Sequence, residues 1–274
     1  MTFKSINHAN LRELSAADVR AAIRSGSYDG HTAGLAKGKL QCNIAIIPER
    51  YALDFLRFCQ RNPKPCPIVG VSDTGDQYLP TLGNDIDIRT DVSKYRVFRD
   101  GVLHDEVTDI SDLWTADLVT VAIGCSFTFE NALIRHGIPV RHVEQGRNVP
   151  MFKSNRALVP AGPFGGNMVV TMRPIEAHKV DQAKQISSRY PHAHGAPIAV
   201  GDPAQLGIAD LSKPDWGQAV DIRDGEVPVY WACGVTPQNV LLKAKLPLCI
   251  THSPGHMLVS DVAEDAETTI LNQQ

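Results

Sequence analysis

The stretch that decides the fold is Leu118-Val-Thr-Val-Ala-Ile-Gly-Cys-Ser-Phe-Thr-Phe-Glu130. Leu118–Ile123 is a short apolar run rich in β-branched residues, which reads as a buried strand. Gly124-Cys125-Ser126 is a corner of small residues, and a helix follows to about His136, where Gly137 caps it. Pro139–His142 is expected to begin another strand. A strand that turns through small residues into a helix leaves the helix's first N–H groups unpaired. With the helix dipole, those groups favour a carboxylate or a developing oxyanion.

The corner therefore carries the first candidate site residues. Cys125 is expected to have a lowered pKa and to serve as a thiolate nucleophile. Ser126 caps the helix or donates to a substrate, and Thr128 is a further substrate contact. Glu130, one turn into the helix, is a candidate general acid or base. The plainer readings are a small buried hydrophobe for Cys125, a simple cap for Ser126 and an ordinary first-turn acid for Glu130.

Working outward, the same grammar returns. Ile222-Arg-Asp-Gly225 resembles a hairpin turn, Val227–Trp231 a strand, Ala232–Pro237 a turn, Gln238–Lys243 a helix and Pro247–Thr251 a strand. At an offset of 108, Cys125 meets Cys233, Thr128 meets Thr236, Asn131 meets Asn239, Leu133 meets Leu241 and Pro139 meets Pro247. An internal duplication is one reading, and two unrelated units sharing generic turn chemistry is the other. Under duplication, two helix N-termini could face each other across one site, with Thr236 on the second.

Upstream, Ser15-Ala-Ala-Asp18 resembles a capping box that opens a helix to about Arg24, and residues 25–40 read as a loop. Ile44–Ile47 is a buried strand closed by Pro48. A helix over Glu49–Arg61 and a strand over Ile68–Val71 follow. This order predicts a βαβ unit in a parallel or mixed sheet. Asp85–Asp91 alternates charged and apolar residues and predicts a strand with Asp85, Asp87, Arg89 and Asp91 on one face. Tyr95–Phe98, Arg99-Asp-Gly101 and Val102 onward predict a hairpin with a type I′ turn. Met168–Met172, Glu176–Arg189 and Pro197–Val200 read as strand, helix and strand. The expected fold class is α/β. A mixed three-layer main domain (1–146 and 212–274), with the duplicated hairpin and β-α-β unit as one of its two readings, is expected to hold a smaller inserted two-layer α/β domain (147–211).

Further candidates lie outside the corner. His252 and His256 sit in His252-Ser-Pro-Gly-His256, a loop beyond a strand end, where α/β sites gather. They read as an acid/base or substrate-contacting pair, as structural loop histidines, or as metal ligands that lack a third partner. Arg173, Arg189 and His194 are candidates for carboxylate binding, since the guanidinium fork matches a carboxylate. Arg89 is another, although Asp87 and Asp91 offer it an internal ion pair. Asp85, Asp87 and Asp91 lack the glycine-spaced loop of a calcium site. No P-loop, GxGxxG after a strand, or GxSxG elbow is present. The expectation is no metal and no cofactor.

The 274 residues are 43% hydrophobic and 21% charged, with a net charge of −3. No chain-wide basic field draws the protein to nucleic acid or an anionic membrane. No apolar run approaches the roughly 20 residues of a membrane helix. Met1–Arg12 has no signal-peptide apolar core. The six cysteines are scattered without a CxxC pair and read as reduced thiols, which fits a cytoplasmic protein. A small carboxylate is the expected partner, and a homo-oligomer is allowed.

The motifs resemble a known family. Gln60–Pro67, Asp87-Ile-Arg-Thr-Asp91, Gly124–Glu130, Arg147-Asn-Val-Pro-Met151, Met172-Arg-Pro174, His194-Gly-Ala-Pro197, Trp231–Pro237 and Ile250–Met257 are similar to the D-glutamate cyclase family. Its bacterial members are called putative hydro-lyases. The resemblance spans about residues 39–261. It implies an α/β fold in two parts, a lyase label and, from a eukaryotic relative, conversion of D-glutamate to 5-oxo-D-proline and water. It transfers no catalytic residues. Thr128 stands where serine is common, Phe152 where tyrosine is, and Ala199 where histidine often is. Alternatives to the cyclase are an amidohydrolase opening a lactam through Cys125, water elimination from another small acid, and a non-catalytic carboxylate-binding protein.

Overall fold

A computed structural model describes residues 8–266; Met1–Asn7, part of the segment read as lacking a signal-peptide core, lie outside the described residues. The chain runs α1 (His8–Leu11), α2 (Ala16–Arg24), β1 (Lys39–Pro48), α3 (Glu49–Arg61), β2 (Ile68–Val71), β3 (Tyr95–Arg99) and β4 (Val102–Val107). It continues through β5 (Leu118–Gly124), α4 (Phe127–Arg135), α5 (Arg141–Glu144), β6 (Met151–Ala157), β7 (Asn167–Glu176), α6 (Val180–Ser188) and β8 (Ala199–Val200). It closes with β9 (Glu226–Ala232), α7 (Val235–Ala244), β10 (Cys249–His252) and β11 (Leu258–Ala263). The fold is α/β, built on two sheets whose pairings among the described residues are antiparallel.

The first sheet has the order β2-β5-β1-β10-β3-β4, with β11 beside the other end of β1. β1 is buried on both faces, and its side chains alternate between two cores. Leu40, Cys42, Ile44 and Ile46 join Leu79, Leu82, Ile86 and Ile88 from the long segment before β3. Ala45 and Ile47 join Phe55 and Phe58 of α3 and Val240 and Leu241 of α7. A period of two with both faces apolar explains why this stretch reads as a continuous hydrophobic run.

The second sheet has the order β6-β7-β9-β8. On one face, Val229 and Trp231 of β9 and Ile175 of β7 pack against Phe129, Ala132 and Leu133 of α4 and Ala183 and Ile186 of α6. The packing is thus reciprocal: α4 follows a strand of the first sheet and packs on the second, while α7 follows a strand of the second and packs on the first. The two corners that precede these helices come together at the junction.

Several expectations are corrected. The β1–α3–β2 unit forms, but β5 lies between β1 and β2, so neighbouring strands are antiparallel rather than parallel. Asp85–Asp91 is a series of turns, not a strand. Its carboxylates bond nearby backbone, Arg89 N–H donating to Asp87 Oδ1 at 3.0 Å and Asp87 N–H to Asp91 Oδ2 at 2.9 Å, and this local bonding competes with a strand ladder. Residues 141–144 form a short helix where a strand was expected, with Arg141 tied to Glu144 one turn on. The Asp100-Gly101 turn does join β3 to β4 in a hairpin, both residues having positive φ. Residues 222–225 form no second hairpin: they lead into β9, whose partners are β7 and β8. The second sheet also takes β9 from beyond residue 211, outside the expected insertion.

Candidate functional site

The site follows from how two strands end. β5 ends at Gly124, where any Cβ would strike the His192 carbonyl oxygen, so only glycine allows this approach. β9 ends at Ala232, and the next turn holds Gly234, where a Cβ would strike the Asn43 amide. Both corners, with part of the β10–β11 loop, line a cavity of about 50 Å³. That is several times the roughly 10–15 Å³ that one water needs, which suits a small molecule rather than a polymer. The lining includes Asn43, Cys125, Ser126, Phe127, Thr171, Cys233, Gly234, Val235, Gln238 and His252.

The β10–β11 loop is a long bulge. β10 pairs Ile250 with Ile46, β11 resumes at Leu258 opposite Cys42, and the residues between leave the ladder opposite Asn43. Asn43 Nδ2 donates to the Gly124 carbonyl at 3.0 Å while its amide packs on Gly234, so one side chain braces both corners. Each corner has a cysteine thiol facing the N–H two residues on: Val235 N–H donates to Cys233 Sγ at 3.4 Å, and Phe127 N–H faces Cys125. Among the described residues, neither the Ser126 nor the Gly234 N–H meets a protein acceptor. The Cys125 N–H, by contrast, is spent on the Gln41 carbonyl at 3.2 Å.

The walls differ in charge. Behind Ser126 lies Arg173, fully buried, its Nη2 donating to Ser126 Oγ at 3.3 Å and its Nη1 to Thr171 Oγ1 at 2.9 Å. Its guanidinium lies 4.9 Å from the Phe129 ring and 5.2 Å from the Trp231 ring, within cation–π range. Glu130 accepts from Arg173 Nε at 3.0 Å and also from Nη2. His142 Nε2 is 3.3 Å from the same carboxylate. Burial alone would raise the Glu130 pKa, but His142 and Arg173 outweigh it and hold the carboxyl down to about 2. On the opposite wall, Ile44 N–H donates to His252 Nδ1 at 3.2 Å, so the neutral ring carries its proton on Nε2, 3.1 Å from the Gln238 amide. Burial pushes the His252 pKa down to about 4.

Ser126, Cys125 and His252 thus line one cavity; the other sequence candidates stand elsewhere. Burial pushes the Cys125 thiol up to about 12, the reverse of the expected activation, so it is a neutral thiol near neutral pH. Glu130 is an ionised partner of Arg173 and does not line the cavity, which removes it as a free acid or base. Arg173 already turns its Nε and Nη2 fork to Glu130 and each of its nitrogens donates within the protein, and it does not line the cavity. Arg189 is an exposed residue at the end of α6, and Arg89 is paired with Asp87. His194 Nδ1 pairs with the Lys64 carbonyl at 2.9 Å, leaving Nε2 buried without a partner. Thr236 Oγ1 exchanges hydrogen bonds with the backbone of Val169. His256 pairs with Ser93 at 2.9 Å. Thr128 lines a separate cavity of about 10 Å³ with Gln41.

Asn43, Thr171 and Gln238 were not expected at the site. Asn43 shares β1 with Lys39 and Gln41, and Thr171 shares β7 with Asn167, Arg173 and Glu176, so neither stands out as a site residue in its strand's sequence. Gln238 stands at the offset of 108 from Glu130, one turn into the second helix.

The fold and cavity define a class: an α/β protein that presents two helix N-termini to a small pocket lined by uncharged, mainly apolar side chains. The particular family follows from comparison: the sequence model of D-glutamate cyclase matches residues 119–261, and the chain belongs to that family. It is 74% identical to a protein named "Putative hydro-lyase" from Jannaschia sp. (strain CCS1), over 93% of this chain and 96% of that one. A relative of the same name from Dinoroseobacter shibae is 58% identical over 97% and 89%. One from Bordetella pertussis is 59% identical over 89% and 88%. Among solved structures, a nitrogen repressor-like protein from Methanococcus jannaschii is similar at 11% identity and a TM-score of 0.38, covering 86% of this chain and 91% of that one. No helix among the described residues is long and apolar enough to cross a membrane.

Proposed function

We propose that this protein is a hydro-lyase acting on a small carboxylic acid, with dehydrative cyclisation of D-glutamate to 5-oxo-D-proline as its reaction. The observation that carries the reading is the pair of helix N-termini at one cavity, with the Ser126 and Gly234 amides free of protein acceptors. Such amides stabilise a carboxylate in the ground state and an oxyanion as it forms. The family and the names of the relatives support the same reading.

In this reaction the substrate's ammonium loses a proton and the amine attacks the γ-carboxyl carbon. A C–N bond forms, a C–O bond breaks, and the departing oxygen leaves as water with the two protons given up by the ammonium. His252 is suited to assist that departure. It is neutral, it lines the cavity, and, with Nδ1 taken by the Ile44 N–H, its Nε2–H is the group it can turn towards a leaving oxygen as a hydrogen-bond donor. The corner amides meet the oxyanion, and Ser126 adds a hydroxyl donor. A covalent route through Cys125 has little support, because its thiol is not ionised near neutral pH. Cytoplasmic placement and a small carboxylate partner belong to the same proposal.

The test is a screen of small acids by proton NMR in deuterated water, comparing wild type with Ser126→Ala and His252→Gln. Conversion of D-glutamate or its ring-closed product, lowered about 100-fold or more in His252→Gln, is the expected result. Binding of these acids without turnover would replace the enzyme reading with that of a carboxylate-binding protein.

A further inference from the structure

Gln41 of β1 has a side chain whose orientation is fixed by what it bonds. Its Nε2 donates to the Thr32 carbonyl at 2.8 Å and to the Leu35 carbonyl at 3.3 Å, both in the loop between α2 and β1. A carbonyl only accepts, so the amide cannot be turned over, and Oε1 is the atom left to find a partner elsewhere. That oxygen is buried and meets no protein donor. Thr128 Oγ1, in the first turn of α4, is buried and unpartnered as well. The two residues are 4% and 3% exposed, and both line the cavity of about 10 Å³ that also touches Lys39, Phe127 and Asn131. Buried polar atoms are costly to leave unpaired, and two at one cavity call for a shared partner. The volume is close to the space that one water molecule needs.

We infer that a single water molecule binds between Gln41 and Thr128, and that it joins the first turn of α4 to the β10–β11 loop of the main cavity. Water donates to Gln41 Oε1, which only accepts, and exchanges a hydrogen bond with the Thr128 hydroxyl. Asn131 lines the same cavity and offers a third partner. A cation of similar size is disfavoured, because Lys39 and no carboxylate lines the cavity and the positive end of the α4 dipole adjoins it. From Gln41 the connection runs on through Thr32. The Thr32 N–H donates to the Gly255 carbonyl at 2.9 Å, and the Met257 N–H donates to Thr32 Oγ1 at 2.9 Å. Gly255 and Met257 line the main cavity together with Ser126 and Phe127 at the start of α4. The Gln41 carbonyl meanwhile holds the Cys125 N–H at 3.2 Å. The water thus closes a bracket from Thr128 through Gln41 and Thr32 to the β10–β11 loop, and the bracket sets the spacing of two sides of the cavity. It stands on geometry and does not depend on the reaction proposed above.

A high-resolution crystal structure of the protein should show one density peak within hydrogen-bonding distance of both Gln41 Oε1 and Thr128 Oγ1, and Thr128→Ser should retain it. Thr128→Val keeps the shape and removes the hydroxyl, so the water loses a partner and the melting temperature should fall by about 2–4 °C. Were the two oxygens simply unpaired, the same variant would relieve one of them and melt higher than wild type. In Thr128→Val the Thr32 and Met257 amides, at the other end of the bracket, should exchange with deuterium about threefold faster or more. No density at the site, a raised melting temperature in Thr128→Val, or faster exchange confined to α4 would each overturn the inference. Anomalous signal at that position after soaking crystals in thallium(I) acetate would mark a monovalent-cation site and overturn the assignment to water.

Discussion

A cysteine at a helix N-terminus invites a nucleophile assignment, yet the environment of Cys125 points the other way. Burial raises its pKa to about 12, and the Phe127 N–H and the Arg173 guanidinium, which both favour the thiolate, do not offset that. Cys125→Ala is therefore expected to keep kcat within about threefold of wild type, and iodoacetamide should leave the native protein active; loss of turnover beyond 100-fold would restore the covalent route. Glu130 behaves in the opposite sense. Its carboxylate balances the fully buried Arg173, so Glu130→Gln leaves an uncompensated charge in the interior. Breaking one side of a buried pair costs about 3–5 kcal/mol, which chemical denaturation of this variant should register. A general base lost from the pocket would instead abolish turnover and leave stability unchanged.

At the scale of elements, the corner geometry depends on glycines that meet other chain segments. Gly234→Ala would drive a Cβ into the Asn43 amide, which holds the Gly124 carbonyl at 3.0 Å. Overpacking of this kind costs about 1–3 kcal/mol, and the displaced Asn43 would loosen both corners at once. Gly234→Ala should therefore lower both the melting temperature and kcat/KM, while Val235→Ala, next in sequence, should affect kcat/KM less. Much of this element level was legible. The buried run of β1, the 49–61 helix between two prolines, and the glycine that ends α4 each follow from local periodicity and turn chemistry. The order of strands was not, because placing β5 between β1 and β2 is a non-local choice that no local pattern encodes. The Asp85–Asp91 segment misled for a related reason. Asp85 pairs with Arg20 and Arg24, and Asp91 with Arg24, from a helix more than 60 residues earlier, and that pairing organises the turns. Within the site, the two corners could be read from sequence, but the partners of Glu130 and Arg173 could not, because they meet only after α4 has crossed to the second sheet.

On the scale of the whole molecule, buried neutral histidines set how stability responds to acid. Burial lowers the pKa of His194 and of His252 from 6.5 to about 4. The unfolded chain then binds more protons in this interval, so their contribution is complete above pH 6.5 and falls away as pH drops toward 4. By pH 5 each costs roughly 2 kcal/mol. Glu130 acts lower: its pKa falls from 4.5 to about 2, so its contribution is intact at pH 5 and is lost only between those two values. Urea denaturation between pH 7 and 5 should show this first loss, and Glu130→Gln should show the same slope over that range. A flat profile in wild type would mean that these imidazoles are not buried as neutral groups.

The reciprocal packing of α4 and α7 has a consequence for how the chain divides. Residues 147–211 carry β6, β7 and β8 but neither β9, which pairs with both β7 and β8, nor α4, whose Phe129 and Leu133 cover the sheet. Expressed alone, that segment would leave β7 with an unpaired edge and an uncovered apolar face, so it is expected to stay unfolded by circular dichroism. The remaining chain is equally incomplete, since α7 reaches the first sheet only by way of β9. The intact protein should therefore unfold in one calorimetric transition, with van't Hoff and calorimetric enthalpies equal, because neither sheet can lose its borrowed helix and persist. Two resolved transitions, or a folded 147–211 fragment, would show that the sheets are separable units and that the cavity between them opens without the loss of either core.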